Sequence, residues 1–177
     1  MKLLRIILLI YLLAINACEE AVYKFDNVND PFNMDLEPPA LFFHPSEKKT
    51  LVNSQDSIEV YGLKLDSSAA AHLEIIFERG TITIDSVSAG PFFQGSNNPI
   101  LVDSISSKIV NIYLFYLPSL VMDQNNGGTW SLAKIYFSTG SIAAEYGLEF
   151  GSNTKLRNAE NDSVIVNTFG IGSIHVQ

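Results

Sequence analysis

Side chains that could carry out chemistry are few in this 177-residue chain, and they are widely separated. The three histidines, His44, His72 and His175, have no metal-ligand spacing. No Gly-x-Ser-x-Gly, His-Glu-x-x-His or phosphate-binding motif is present. Asp66 and Glu74 are a formal glycosidase pair, but no pattern in the sequence places them in one cleft. We therefore predict a binding protein, not an enzyme, with no cofactor and no metal site.

The single cysteine, Cys18, follows a segment typical of a secretory signal. Two cations near the N-terminus precede an apolar run from Ile6 to Ile15, which is too short for a membrane-spanning helix of about 20 residues. The tetrapeptide Ile15-Asn16-Ala17-Cys18 resembles a bacterial lipobox. We expect cleavage before Cys18 and lipidation of its thiol, which would hold an exported protein on the cell envelope, at the outer membrane or cell surface. The alternative is an unmodified cysteine after an ordinary signal peptide.

The charge of the remaining chain argues against nucleic acid as a partner. Removal of residues 1–17 takes away Lys2 and Arg5, so Lys+Arg falls from 11 to 9 against 19 acids and the formal charge moves from −8 to −10. Binding to nucleic acid depends on neutralising phosphates, which such a chain does poorly. Residues 18–39 are rich in Asp, Asn and Pro without a sustained period, and we interpret them as a lipidated, extended tether. Residues 40–177 are long enough for one domain.

Short β-branched and aromatic runs recur between turn residues from Ala40 onward, with no helical period. This spacing predicts an all-β sandwich or barrel. The predicted strands are Ala40–His44, Ser57–Leu65, Ala71–Glu78, Thr81–Ser88, Ile100–Ile105, Lys108–Leu117, Trp130–Thr139, Ala143–Phe150, Ser163–Asn167 and Ile171–Val176. Asn126-Gly127-Gly128 is typical of a tight hairpin turn. Asp123–Asn126 also has a weak resemblance to a calcium loop, although it lacks the later bidentate glutamate.

Alternation predicts which side chains enter the core. Ala71, Leu73, Ile75 and Phe77 share one side of their strand, as do Ala133, Ile135 and Phe137, and both sets are expected inside. The run Lys108–Leu117 is apolar on both sides, because Val110, Ile112 and Leu114 alternate with Asn111, Tyr113 and Phe115. Either this strand is covered on both sides, or its outer side is a contact surface.

Six segments in a fixed order carry a family resemblance. The first two are an alternating strand that ends in an aromatic and an acid, and a second strand that leads into a Gly-Pro-Phe-Phe loop. A Gly-Gly strand with Leu-Ala-x-Ile-x-Phe and three closing segments follow. The segments are Leu73–Glu78, Ile82–Phe93, Gly127–Phe137, Tyr146–Phe150, Thr154–Ala159 and Gly172–Val176. This series resembles the pattern of cohesin domains, over the whole of residues 40–177.

The resemblance implies a nine-stranded antiparallel jelly-roll β-sandwich. Cohesins bind the dockerin domains of other secreted proteins through a flat sheet face formed by their third, fifth, sixth and eighth strands. Carried over to this sequence, that face would present His72, Glu74, Ile76, Asn111, Tyr113 and Phe115. The resemblance thus implies a dockerin-type or other secreted protein as the partner, with a role in polysaccharide degradation.

Two other functions remain open from the sequence. A carbohydrate-binding module would stack sugars on exposed aromatics, and Tyr113, Phe115 and Tyr136 are the candidates for such a platform, whereas Trp130 starts a predicted core strand. A structural envelope lipoprotein with no ligand is the third alternative.

Overall fold

The computed structural model describes residues 35–65, 68–77, 80, 82–93, 99–115 and 128–177. Within these ranges the regular structure is almost entirely β, with one short 3₁₀ turn at Pro91–Phe93. Its thirteen strands are β1 Ala40–His44, β2 Glu47–Thr50, β3 Gln55–Leu63, β4 Ala70–Phe77, β5 Ile82–Ala89, β6 Ile100–Ile105, β7 Ile109–Phe115, β8 Thr129–Thr139, β9 Ala144–Phe150, β10 Lys155–Arg157, β11 Ser163–Val164, β12 Thr168–Phe169 and β13 Gly172–Val176. The predicted all-β class is confirmed.

The strands form two sheets that pack face to face. One sheet has the order β12-β1-β3-β8-β5, and the other runs β11-β10-β4-β9-β13-β2. In the second sheet β7 pairs with the other side of β4, and β6 pairs with β7. Strand β4 therefore lies in the middle, between β7 on one side and β9 and β10 on the other. Placing β4 centrally brings its outward side chains into the same surface as those of β7.

The core forms between the sheets from the side chains that alternation places inward. Ala71, Leu73, Ile75 and Phe77 are all buried, as are the three predicted core residues of β8. The apolar set Val110, Ile112 and Leu114 of β7 is completely buried, so this strand contributes to the core from one side only. A smaller cluster of Ala40, Phe42 and Leu63 lies apart from the main core and is packed against Leu36 and Tyr61.

The sheets differ from the expectation in two respects. Two pairings are parallel, β1 with β12 and β13 with β2, where an antiparallel arrangement was predicted. Both involve a short strand at a sheet edge, where the chain changes sheets and runs beside its new neighbour in the same direction. The strands β2 and β12 are also absent from the predicted strands, because four or fewer residues are too short to show an alternating pattern. Strand β10 lies within Thr154–Ala159, which the family resemblance marked as a closing strand but alternation did not.

Several predictions concern residues outside the described ranges. These are the signal peptide, the lipidation of Cys18, residues 18–34 of the tether, the turn at Asn126-Gly127 and the calcium alternative at Asp123–Asn126. They remain predictions. The first strand, β1, begins at Ala40.

Candidate partner-binding face

The register between β4 and β7 brings the predicted face residues together. Opposite pairs are His72 with Tyr113 and Glu74 with Asn111, while Phe115 lies opposite Ala70 and Ile76 opposite Ile109. Because residues directly opposite each other point to the same side of a sheet, all six predicted residues lie on the outer side of this pair. Beyond β4 and β7, the sheet extends to β6 next to β7 and to β9 and β10 next to β4.

His72 is at the centre of this surface and is held by two contacts. Its ring stacks on that of Tyr113, with centroids 4.3 Å apart and planes inclined by 15°. Its Nε2 lies 2.9 Å from Asn111 Oδ1, so in the tautomer protonated at Nε2 it donates to the amide oxygen. The aromatic ring and the amide therefore have fixed positions before any partner arrives, which lowers the entropy lost on binding.

Glu74 lies on the same side but is not presented to solvent, contrary to the expectation. Only 9% of the residue is exposed, because the segment that joins β9 to β10 crosses over it. Asn153 donates from its side-chain amide to Glu74 Oε2 at 2.7 Å and from its backbone N to Oε1 at 3.3 Å. Gly151 N donates to the Glu74 carbonyl at 2.7 Å. The carboxylate and the backbone carbonyl of Glu74 together fasten residues 151–154 to the sheet, an arrangement that we call the Glu74 clasp.

The clasp also determines the ionisation of Glu74. The hydrogen bond from the Asn153 side chain lowers the pKa of the Glu74 carboxyl below its ordinary value of 4.5, and this outweighs the opposing effect of burial. The backbone N–H of Asn153 and the nearby His72 act in the same direction. The clasp therefore holds an ionised carboxylate, which accepts stronger hydrogen bonds than a neutral one.

Apolar side chains extend the surface beyond the predicted residues. Phe115 is 43% exposed and Ile76 39%, and on β6 Ile100 and Val102 are 47% and 53% exposed. The register places Ile100 opposite Phe115 and Val102 opposite Tyr113. Sequence reasoning missed these two β6 residues, because only the register joins β6 to β7. Within the described residues the outer side of β7 is open along this edge, so it is a surface and not a second core.

A shallow depression of about 360 Å³ lies on this face. Aromatic rings border it on the β7 side and cations on the β10 side, with two alanines and His72 of β4 in between. Its lining residues are Ala70, Ala71, His72, Tyr113, Phe115, Lys155 and Arg157. No sequence pattern assigned Lys155 and Arg157 to the site, because they come from a short strand far along the chain.

The three-residue aromatic platform is wrong. Tyr136 is on β8, in the other sheet, where it lies opposite Ser57 and Ser86. Side chains on the outer sides of two facing sheets point away from each other, so Tyr136 cannot share a ligand with Tyr113 and Phe115. Trp130 was assigned to the start of a core strand, and its side chain is 41% exposed.

The described part of the chain offers no alternative centre of chemistry. His44 packs edge-on against Tyr61, and His175 lies near Ser173 and Glu145. No cluster of three or more His, Cys, Asp or Glu in the described ranges has a geometry that would hold a metal ion. These ranges also contain no helix with the length and apolar character needed to cross a bilayer.

Comparison with known proteins gives matches in structure only. The chain matches no protein-family model and no curated protein sequence. Among solved structures, it is similar to a non-cellulosomal cohesin from the archaeon Archaeoglobus fulgidus, with a TM-score of 0.61 and 15% identity over 78% of this chain and 90% of that one. The seventh ScaB type I cohesin of Pseudobacteroides cellulosolvens gives a TM-score of 0.60 at 17% identity, covering 78% and 91% of the two chains.

A third match comes from a type I cohesin–dockerin complex of Clostridium thermocellum. It has a TM-score of 0.62 at 7% identity and covers 78% of this chain and 99% of that one. Nearly the whole length of each of these chains is therefore matched, and the residues that match make up most of the domain described above. At these identities the likeness concerns the fold, and the described domain has the cohesin fold.

Proposed function

We propose that this chain is a non-catalytic, cohesin-like module that captures a secreted protein partner of the dockerin type. The partner would bind on the outer side of β6, β7 and β4, and we call this surface the docking face. One observation carries the proposal: Ile100, Val102 and Phe115 expose neighbouring apolar side chains beside the stacked pair His72 and Tyr113. Support also comes from the fold, because similar structures include cohesins in complex with dockerins.

The composition of the docking face suits protein recognition. Binding energy in protein interfaces is concentrated in a few rigid aromatic anchors near the centre, surrounded by residues that exclude water. Tyr113 is such an anchor, since stacking and the neighbouring Asn111 contact hold His72 against it. Phe115 provides a second anchor at the border of the depression. The buried Glu74 contributes shape and not a direct contact.

The proposal includes a cellular setting. Lipidated Cys18 would anchor the module at the outer membrane or cell surface. The tether would end before Leu36, because Leu36 packs against the domain and Thr168 Oγ1 donates to the Glu37 carbonyl. A captured partner would then stay at the envelope. Partners that degrade polysaccharides would then act next to the cell. Metabolic labelling with a palmitate analogue tests the anchor: label should be lost in Cys18→Ser. Equal labelling of that variant would remove the anchor from the proposal.

The binding experiment uses purified dockerin modules from secreted proteins of the source organism, with affinity measured by isothermal titration calorimetry. Tyr113→Ala and Phe115→Ala should each weaken binding roughly 30-fold, the effect of losing an anchor of about 2 kcal/mol. Tyr136→Ala is the matched control, because Tyr136 is also a partly exposed strand aromatic but lies on the other sheet. It should leave the affinity unchanged.

Two results would contradict the proposal. If no dockerin module binds the wild-type chain, the partner class is wrong. If a dockerin binds equally well to the Tyr113→Ala/Phe115→Ala double variant but not to Tyr136→Ala, the docking face is wrong. Saturable binding to insoluble cellulose, chitin or xylan, lost in the double variant, would instead identify a carbohydrate-binding module.

A further inference from the structure

We propose that the depression on the docking face takes an apolar side chain of the partner while Lys155 and Arg157 bind a neighbouring carboxylate, so that the partner's contact surface is acidic. This inference rests on the proposed function and adds the chemistry by which the partner is selected. It follows from how four strands align their outward side chains across the sheet.

Two rows of side chains cross the sheet from β6 to β10. The strand registers that define them pair β6 with β7, β7 with β4, and β4 with β10. One row is Ile100, Phe115, Ala70 and Arg157, and the next is Val102, Tyr113, His72 and Lys155. Each row changes from an aliphatic residue through an aromatic ring to a cation. Apolar and cationic recognition elements thus have a fixed order on this face.

Ala70 creates the depression. Its side chain is a single methyl group, while its neighbours in the row are Phe115 on one side and Arg157 on the other. Adjacent strands are about 4.8 Å apart, so the ring of Phe115 and the guanidinium of Arg157 belong to backbones separated by roughly 10 Å. The gap is about the width of one aliphatic side chain with a carboxylate beside it. A partner must therefore supply both groups within that distance.

The cations are available for a ligand. Among the residues that the structure describes, neither Lys155 nor Arg157 forms an ion pair with a carboxylate. Arg157 donates from Nη1 to the carbonyl of Asn161 at 2.8 Å, which orients the guanidinium and leaves its other N–H groups for a partner. The acid of β4 nearest in register, Glu74, is already engaged by Asn153. A guanidinium in a fixed orientation favours a carboxylate, because its donors match the two oxygens.

The overall negative charge of the chain makes the cationic site at Lys155 and Arg157 selective in where a partner's carboxylate can bind. The chain has a formal net charge of −8, so an acidic partner is repelled at long range. Screening in physiological salt confines interactions between exposed charges to about 8 Å, so a docked carboxylate responds to the charges next to it, which include Lys155 and Arg157. Lys155 and Arg157 therefore determine how the bound partner is aligned on the docking face, and they do not accelerate its association with the chain. The Glu74 clasp, which ends next to Lys155, holds the start of β10 in position.

The test uses random dodecapeptides displayed on phage, selected on the full chain and depleted on Ala70→Phe, in which a ring fills the depression. Recovered peptides should combine an aliphatic or aromatic residue with Asp or Glu at a preferred spacing. The Lys155→Glu/Arg157→Glu variant should weaken these peptides by about tenfold or more and select Lys or Arg in their place. Lys49→Glu, on the same sheet side but on the distant strand β2, is the matched control and should leave selection unchanged.

Peptides with no enrichment of acids, or no peptide that is lost on Ala70→Phe, would overturn the inference. Circular dichroism of each variant shows whether it is folded, and if Ala70→Phe is not, Ala70→Leu replaces it. The displayed peptides contain no dockerin, which separates the two proposals. If a dockerin binds but the selected peptides are not enriched in acids, only the proposed role of Lys155 and Arg157 is contradicted. If acidic peptides are selected but no dockerin binds, only the dockerin assignment is contradicted.

Discussion

Replacement of Gly151 by alanine tests whether the Glu74 clasp forms as described. Gly151 is buried, and an added Cβ would overlap Glu74 Oε1 and lie 2.6 Å from the carboxyl carbon. The backbone itself permits alanine, because no glycine in the described ranges has a positive φ. The three nearest atoms all belong to the Glu74 side chain, whose carboxylate is held by Asn153. Gly151→Ala must therefore displace Glu74 from the clasp.

The magnitude follows from the contacts that are lost. Each hydrogen bond to a charged group contributes about 1.5–3 kcal/mol, and part of this returns when the displaced carboxylate reaches water. Alanine in place of glycine stabilises by about 0.4–1 kcal/mol through the unfolded chain. We therefore expect Gly151→Ala to lower the free energy of unfolding by about 1–2 kcal/mol. In a Glu74→Ala background the same change should be neutral or stabilising by about 0.4–1 kcal/mol.

Urea-induced unfolding followed by circular dichroism measures this double-mutant cycle, with an expected coupling of about 1–3 kcal/mol. Gly128→Ala is the control, because its Cβ would make an ordinary 3.6 Å contact with Trp130 Nε1. It should leave the protein as stable as the wild type or stabilise it by up to about 1 kcal/mol, and it should not destabilise it. If Gly151→Ala costs the same in the Glu74→Ala background as in the wild type, the obstacle is not Glu74 and the clasp is refuted.

Two further predictions concern stability. Since the folded-state pKa of Glu74 is lowered by Asn153, its stabilisation is present above the ordinary value of 4.5 and is lost as the pH falls through the folded-state pKa. As the pH falls below about 4.5, the urea midpoint of the wild type should therefore fall more steeply than the midpoint of Glu74→Gln. Parallel plots of midpoint against pH for the two proteins would contradict this. Phe43→Ala should cost about 3–5 kcal/mol of unfolding free energy, because Phe43 is 1% exposed and stacks on Phe150 with centroids 4.7 Å apart. Thermal unfolding checks this value, and a loss below about 1 kcal/mol would show that the site is poorly packed.

Strands whose side chains alternate could be predicted because burial imposes a period of two on the sequence. Ala40–His44 and Ile100–Ile105 have the predicted bounds, and β4 and β5 differ from prediction by a single residue at either end. Strand β2 could not be predicted, since Glu-Lys-Lys-Thr has no apolar alternation. It exists because its backbone pairs with β13, a partner more than 120 positions away. Local sequence contains no trace of such a partner.

For the candidate site too, alternation could be predicted from the sequence, whereas contacts with distant parts of the chain could not. Alternation alone puts His72 and Ile76 on one side of their strand and Tyr113 and Phe115 on one side of theirs. The burial of Glu74 depends instead on Asn153, which is 79 positions away. Likewise, Lys155 and Arg157 join the site only through the register of β10 with β4. Alternation determines which side of a strand a residue is on, while register determines its neighbours.

The cross-strand neighbours of Tyr136 and Phe115 differ, and this difference supports the proposed docking face over the surface around Tyr136. Tyr136 lies between Ser57 and Ser86, with the ammonium of Lys134 5.5 Å from its ring centroid. A partner that covered Tyr136 would have to desolvate hydroxyl groups and a cation for one ring, which costs more than the ring contributes. Phe115 lies between Ile100 and Ala70, so a partner covering it removes only apolar surface from water. The nature of the cross-strand neighbours, more than the number of exposed rings, therefore makes the β6, β7 and β4 surface the one that favours association.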